Sequence, residues 1–372
     1  MKFRSFEFNL RELGGSMGDF GTLFPLAVGY IAVCGVDPAG LLVMMGLANI
    51  ATGVIFQLPV PIEPMKVIAV VAIAQQWSPS LVYASAFAMG IVWLLMAVTG
   101  GIDWLGAVTP QSVVRGIQVA LGVLLLVQAV RMLSTEWWLG LVAVLIVLLL
   151  RQNRYAPAAI VLVGFGALIM AFQGKLTHLQ APSFALPAPG SFTAQEVWQS
   201  LLLAGFAQIP LTVTNATIST CSLIHTYWPA KRVSERQLSW SQGVMNIVTP
   251  FFGGMPMCHG AGGLAGQYYF GARTGGANIM EGTIELFIGL FLAGSVVGLF
   301  ASFPTAIIGA MMFLVSFQLI LFVKDVRQTA DLFPLGATVI VSIATNMAYG
   351  FLAGLAVHYG VQWISSRATA NS

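Results

Sequence analysis

Lys66 is a basic residue set inside a long apolar stretch, three residues after Glu63 and directly after Pro64-Met65. A cation in the bilayer interior is costly and by default marks a functional position. Glu63 would share its helix face and neutralise it; the same ammonium could also draw an anion. Far along the chain stands Cys258-His259-Gly260-Ala261-Gly262-Gly263. Here a histidine could read a substrate or a proton near neutral pH, or cap a helix, and the glycines let backbone approach a ligand closely. Carboxylates in otherwise apolar segments complete the set. Asp19, in Gly18-Asp19-Phe20-Gly21-Thr22, is a candidate proton relay or a helix cap near the membrane face, with Thr22 offering a hydroxyl. Glu281 and Glu285, four apart, share a face and could hold a proton in the scaffold or form an interfacial polar face. Gln208, Thr212, Thr214 and Asn215 make a polar stripe. No nucleophile is paired with a base, and the three cysteines and four histidines have no metal-ligand spacing. No cofactor motif is present, so this chemistry is the binding and movement of an ion rather than catalysis.

Two broken hydrophobic segments must position these groups. Pro59, Pro61 and Pro64 cannot lie in one continuous helix, and Pro256 with the following glycines interrupts the second segment. The stretches before the breaks match: Gly46-Leu-Ala-Asn49-Ile50-Ala-Thr52 running to Pro59, and Gly243-Val-Met-Asn246-Ile247-Val-Thr249 running to Pro256. Broken segments at corresponding places in two halves point to a transporter's binding site. Irregular backbone at membrane depth is tolerated where it is buried in protein or lines a watery cavity. Two half-helices starting there would aim unpaired N–H groups and positive dipole ends at a shared pocket, an anion site. Asn49 and Asn246, at matched positions, are read as joining helices by hydrogen bonds.

The chain is 58% hydrophobic and 8% charged over 372 residues, against about 25% charge in soluble domains. This is a polytopic membrane protein. About 20 residues per crossing divides it into spans near 15–33, 38–57, 58–76 (broken), 81–99, 108–132, 137–150 and 157–173. A Pro-rich connection follows at 174–195, then spans near 196–214, 237–252, 253–270 (broken), 277–300, 304–323, 333–347 and 350–365. The fold expected is all-α, with 14 transmembrane segments in a 7+7 inverted repeat (1–195 and 196–372) and half-helices in segments 3 and 10. With both termini cytoplasmic, the basic residues outside the membrane fall on the inner side, except Arg131 and Lys175, as positive-inside orientation requires. Orientation also explains the net charge of +3, which does not argue for nucleic acid. No segment resembles a cleavable signal peptide, and the cell membrane is the expected location.

Gly18-Asp19-Phe20-Gly21-Thr22-Leu23-Phe24-Pro25-Leu26, Pro61-Ile62-Glu63-Pro64-Met65-Lys66 and the long Met257-to-Arg273 stretch closely resemble signature segments of the molybdate transporter family of plants, algae and prokaryotes, a branch of the sulfate permease superfamily. The resemblance implies a core domain (14–99 plus 196–300) and a gate domain (105–173 plus 304–366). It also implies substrate between the half-helices. Carried over, the substrate residues are Asp19, Phe20, Gly21, Thr22, Pro64, Met65, Lys66, Gln208, Thr212, Cys258, His259, Gly260, Ala261 and Gly262. Candidates for proton coupling are Asp19, Glu63, Glu281 and Glu285. There are two departures. The sequence ends about seven residues after the expected span 14, which fits the molybdate branch rather than sulfate permeases with their soluble C-terminal domain, and position 63 is Glu where Gln is expected in plant relatives. The expected function is proton-coupled uptake of a tetrahedral oxyanion by alternating access: molybdate first, sulfate close behind, with a nucleobase or organic-anion permease on the same fold as the alternative. A homodimer is compatible with this reading.

Overall fold

The computed structural model describes residues 2–3, 6–150, 158–175 and 181–370; side chains at 2–3, 19–22, 158–160, 300–302 and 365–370 lie outside that description. In the first half a short hairpin pairs β1 (Lys2–Phe3) with β2 (Phe6–Glu7). The helices that follow are α1 (Leu10–Ser16), α2 (Phe20–Ala32) and α3 (Pro38–Phe56). After strand β3 (Glu63–Pro64) come α4 (Lys66–Gln75), α5 (Pro79–Thr99), α6 (Gly101–Val108), α7 (Gln111–Leu133), α8 (Trp137–Leu150) and α9 (Ala158–Phe172). The second half opens with α10 (Ala194–Ser200), α11 (Phe206–Leu211) and α12 (Ser219–Tyr227), joined by π-helical stretches at Leu201–Gly205 and Thr212–Ile218. Then come α13 (Glu235–Val248), β4 (Met257–Cys258), α14 (Ala261–Phe270), α15 (Gly276–Phe291), α16 (Ala293–Ser302), α17 (Thr305–Leu321), α18 (Thr329–Ala344) and α19 (Met347–Ala370).

Local sequence explains the boundaries that matter. Asp37 caps α3, accepting from the N–H groups of Ala39 and Gly40, with Pro38 in the first turn; Ser78 and Pro79 open α5 the same way. Proline is suited to a helix start because its missing N–H has no helical partner there. Gln57 ends α3 in the left-handed region, and the three prolines hold the chain out of helix until Lys66.

Helices α3 and α15 lie along each other, as do α5 and α13, α7 and α17, and α18 and α19. Small residues allow this proximity: a Cβ at Gly46 would stand 2.6 Å from the Gly282 carbonyl oxygen. Among the described residues, five helical runs are long and apolar enough to cross a membrane, including an almost uninterrupted Gln111–Leu150.

The structure departs from the sequence expectation in three places. The segment expected as one span at 277–300 bends by 81° between α15 and α16. Leu292 leaves helical geometry there, just ahead of Ala293-Gly294-Ser295, and small Gly/Ser pairs are a recognised cause of kinks. The segment expected at 15–33 changes helix type along its length: α1 stops at Ser16, a 3-10 turn covers Met17–Asp19 and α2 starts at Phe20. Residues expected as a loop form α6, with Trp104 exposed. The described part of the 174–195 connection is irregular but tied down. Ser183 and Ala185 donate to the Phe291 and Leu290 carbonyls, and Gly190 donates to that of Phe251.

Candidate functional site

The two breaks meet. β3 pairs antiparallel with β4, placing Glu63 opposite Cys258 and Pro64 opposite Met257. The Met65 N–H extends the pairing to the Pro256 carbonyl at 3.0 Å. Because the strands run in opposite directions, α4 and α14 leave this two-residue ribbon from its two ends. Asn246 grips Met257 from both sides: its Nδ2 donates to the Met257 carbonyl (2.6 Å), and the Met257 N–H donates to its Oδ1 (2.9 Å). In the other half Asn49 Nδ2 donates to Glu285 (2.8 Å), and Asn278 bridges Asn49 and the Val60 carbonyl. Both matched asparagines therefore hold backbone or helices together. His259 braces the ribbon as well. It is fully buried, with Nδ1 3.1 Å from the Pro61 carbonyl and Nε2 3.1 Å from the Ser241 hydroxyl. A carbonyl only accepts, so Nδ1 carries the proton and Nε2 accepts from Ser241. His259 therefore caps no helix end.

The two helix starts are finished differently. At α4 the Val67 N–H donates to Gln208 Oε1 (2.8 Å) and the Ile68 N–H reaches the same oxygen at 3.4 Å. Gln208 is itself oriented by donating to Thr212 Oγ1 (2.6 Å). Lys66, the first residue of α4, pairs with Glu63 at 2.7 Å; the lysine side chain is 28% exposed and the glutamate buried. At α14 no side chain among the described residues caps the start, and the N–H groups of Ala261, Gly262 and Gly263 have no intrahelical acceptor. A Cβ at Gly262 would meet nothing within 4 Å, whereas one at Gly260 would stand 2.5 Å from the Glu63 carboxylate. The glycines therefore sit in the cap and first turn of α14, one exposing backbone and one making room for Glu63.

Both starts open on one cavity of about 540 Å³. Of the residues anticipated from sequence, Lys66, Gln208, Thr212, Cys258, His259, Gly260, Ala261 and Gly262 line it, with Asn215 beside them. Pro64 and Met65 do not; the ribbon pairing turns them into buried packing. The side chains of Asp19, Phe20, Gly21 and Thr22 lie outside the described residues, though the neighbouring Gly18 lines the cavity. Glu281 and Glu285 are buried on α15, bonded to Gln267 and Asn49 respectively, and are not among the lining residues. The opposite wall was not anticipated. It is built by Arg115 and Gln118 of α7 and by Gln318, Leu319 and Phe322 around the end of α17. The signal for it was the polar pair Arg115–Gln118, one turn apart in an apolar helix.

A family model described as a molybdate transporter of the MFS superfamily matches residues 11–125 and 200–319. The chain belongs to the molybdate transporter family. It is 30% identical to Molybdate transporter 1 of Arabidopsis thaliana, over 96% of this chain and 89% of that one. It is 28% identical to Molybdate transporter 1 of Chlamydomonas reinhardtii, over 92% and 90%. Membership makes it a multi-pass membrane anion transporter and not an enzyme. Its fold is that of SLC26A9 (TM-score 0.72, 13% identity, covering 96% of this chain and 65% of that one). It is equally that of the transmembrane domain of the cyanobacterial bicarbonate transporter BicA (TM-score 0.67, 14% identity, covering 96% and 98%).

Proposed function

We propose that this protein is a secondary transporter that takes up molybdate by alternating access, coupled to protons. The observation that carries this reading is the cavity shared by an uncapped helix start and a lysine, in a chain whose relatives are molybdate transporters. A tetrahedral dianion would accept from the N–H groups of Ala261–Gly263 and from Lys66, with Thr212 and Asn215 as further hydrogen-bonding groups. Such charge-assisted bonds contribute about 1.5–3 kcal/mol each. Carrying a dianion toward a negative interior is opposed by about 2.3 kcal/mol per charge per 100 mV, so cations must travel with it. Glu63 is our candidate carrier. One of its carboxylate oxygens is buried without a hydrogen-bond partner among the described residues, and protonating it would remove a negative charge beside the arriving anion.

The 7+7 inverted arrangement remains our reading of the topology. The pairing of α3 with α15 and of α5 with α13 supports it, because exchanging the two halves turns one pair into the other. In this reading residues 14–99 and 196–300 form the moving core, residues 105–173 and 304–366 the gate, and both termini are cytoplasmic. The test is oxyanion binding to the purified protein, with molybdate, sulfate and uracil competing at two pH values. We expect saturable molybdate binding, a preference for oxyanions over uracil, and marked weakening in Lys66→Ala. Equal binding by wild type and Lys66→Ala would remove the proposed role of the lysine.

A further inference from the structure

We propose that Arg115 is a second oxyanion station on the wall facing the half-helices, and that Asp325 is the counter-ion which a passing anion displaces; this rests on the oxyanion reading above. Arg115 and Lys66 line the same cavity from opposite walls. Each pairs with a carboxylate at 2.7 Å, Lys66 with Glu63 and Arg115 with Asp325. The partners differ in burial. Glu63 is 1% exposed, whereas the Asp325 side chain is 45% exposed and Arg115 only 15%. An exposed carboxylate loses little when it returns to water, so Asp325 is the replaceable partner. It sits at the end of a single 3-10 turn, Phe322–Asp325, that follows α17.

The guanidinium is already shaped for the exchange. Its Nη1 donates to Gln118 Oε1 at 2.8 Å, and its carbon lies 4.7 Å from the centre of the Phe322 ring. These contacts fix the plane of the fork while Nη2 faces Asp325. The buried Nε has no hydrogen-bond partner among the described residues. A planar fork matches two oxygens of a tetrahedral oxyanion as well as it matches a carboxylate. The cavity therefore offers an anion two cations in sequence, one per wall, each with its own resident carboxylate.

A purely structural Arg115–Asp325 staple would give a different pattern of mutant behaviour, because losing either partner would do the same harm. The experiment is molybdate transport by the full-length protein in proteoliposomes, comparing wild type, Arg115→Gln, Arg115→Lys and Asp325→Asn at low and moderate ionic strength. We expect Arg115→Gln to raise the half-saturation concentration about 10-fold and to flatten its salt dependence, the scale of electrostatic guidance into a charged cleft. Asp325→Asn should lower it, and Arg115→Lys should fall between wild type and Arg115→Gln. The shifts should be larger when molybdate is supplied on the face that carries Asp325. If Arg115→Gln and Asp325→Asn move in the same direction, or neither moves, the station is overturned while the oxyanion reading stands. Absence of oxyanion transport by the wild type overturns both.

Discussion

The starts of α4 and α14 both follow the paired strands β3 and β4, yet one is closed and the other open. At α4 the amide oxygen of Gln208 takes up the Val67 and Ile68 N–H groups. What α4 offers the cavity is then a side-chain cation already shared with Glu63. At α14 the glycine-rich first turn leaves the N–H groups uncapped among the described residues and Gly262 facing open space. Two helix starts on one ribbon thus differ as a fixed side and a receiving side. Backbone N–H groups cannot change charge or rotamer, so they suit a permanent anion cradle. A Lys–Glu pair can change both, so it suits the step at which charge must be balanced.

The sharpest way to break this contrast is to cover the open end. Gly262→Val places a branched side chain over the N–H groups of α14 where no atom now stands within 4 Å, so folding should survive. Losing about one charge-assisted hydrogen bond or more should weaken molybdate binding about 100-fold, read by titration of the purified protein. Binding within about threefold of wild type would mean that the second helix start does not hold the anion. Opening the closed end should act in another currency. Gln208→Leu leaves the buried Val67 N–H unpaired, a cost of about 1–3 kcal/mol, seen as a lower unfolding midpoint in detergent. Its loss of affinity should be smaller than that of Gly262→Val. The reverse ranking would make Gln208 mainly a substrate ligand.

These two residues also mark how far the sequence could be read. The breaks were legible because three prolines in six positions exclude a helix whatever surrounds them. The matched asparagines were legible because repetition singles them out. The ribbon's register was not: each strand is two residues long, and no periodicity specifies a partner so distant in the chain. Gln208 was placed near the site as part of a polar stripe, but a stripe does not tell which backbone group an amide will cap. Arg115 was absorbed into the inner-side charge that orients the chain, an explanation sufficient on its own and therefore silent about the cavity. Pro64 and Met65 were carried over with Lys66 because the motif is contiguous, whereas successive residues of an extended strand point to opposite faces and only the helix start reaches the cavity.

A milder change probes the chargeable half. Glu63→Gln keeps a hydrogen-bond acceptor for Lys66 and removes the negative charge, imitating the protonated carboxyl. Molybdate should bind about fivefold tighter, on the order of 1 kcal/mol, and the pH dependence of binding should flatten. Retention of the full wild-type pH dependence in Glu63→Gln would assign the proton to another group. Among the described carboxylates within the apolar helices, Glu281 and Glu285 would be next in line, and both act away from the cavity walls.

The smallest expected effect lies at the far end of α14, where the halves again part. Both half-helices end alike, with an N–H five residues on returning to the last turn: Trp77 to the Ala72 carbonyl, and Ala272 to that of Gln267. Among the described residues, only α14 is then anchored by a charged group. Glu12, in α1 ahead of the first span, accepts from the backbone N–H groups of Arg273 (3.0 and 3.1 Å) and Thr274 (3.2 Å). Burial pushes this carboxyl above its ordinary value of 4.5, and the two backbone donors offset the rise only in part. The folded protein therefore holds the proton more tightly than the unfolded chain, so this group's contribution is present below the unfolded value and is lost as pH rises through the folded one. Glu12→Gln keeps an acceptor for the same N–H groups and cannot ionise. Relative to wild type it should gain stability as pH rises from the carboxylate range toward neutral, with the two proteins converging at the acid end. The opposite slope in paired unfolding curves would mean that the backbone donors outweigh burial. In that case the anchor of α14 would be a stabilised carboxylate that strengthens, rather than weakens, toward neutral pH.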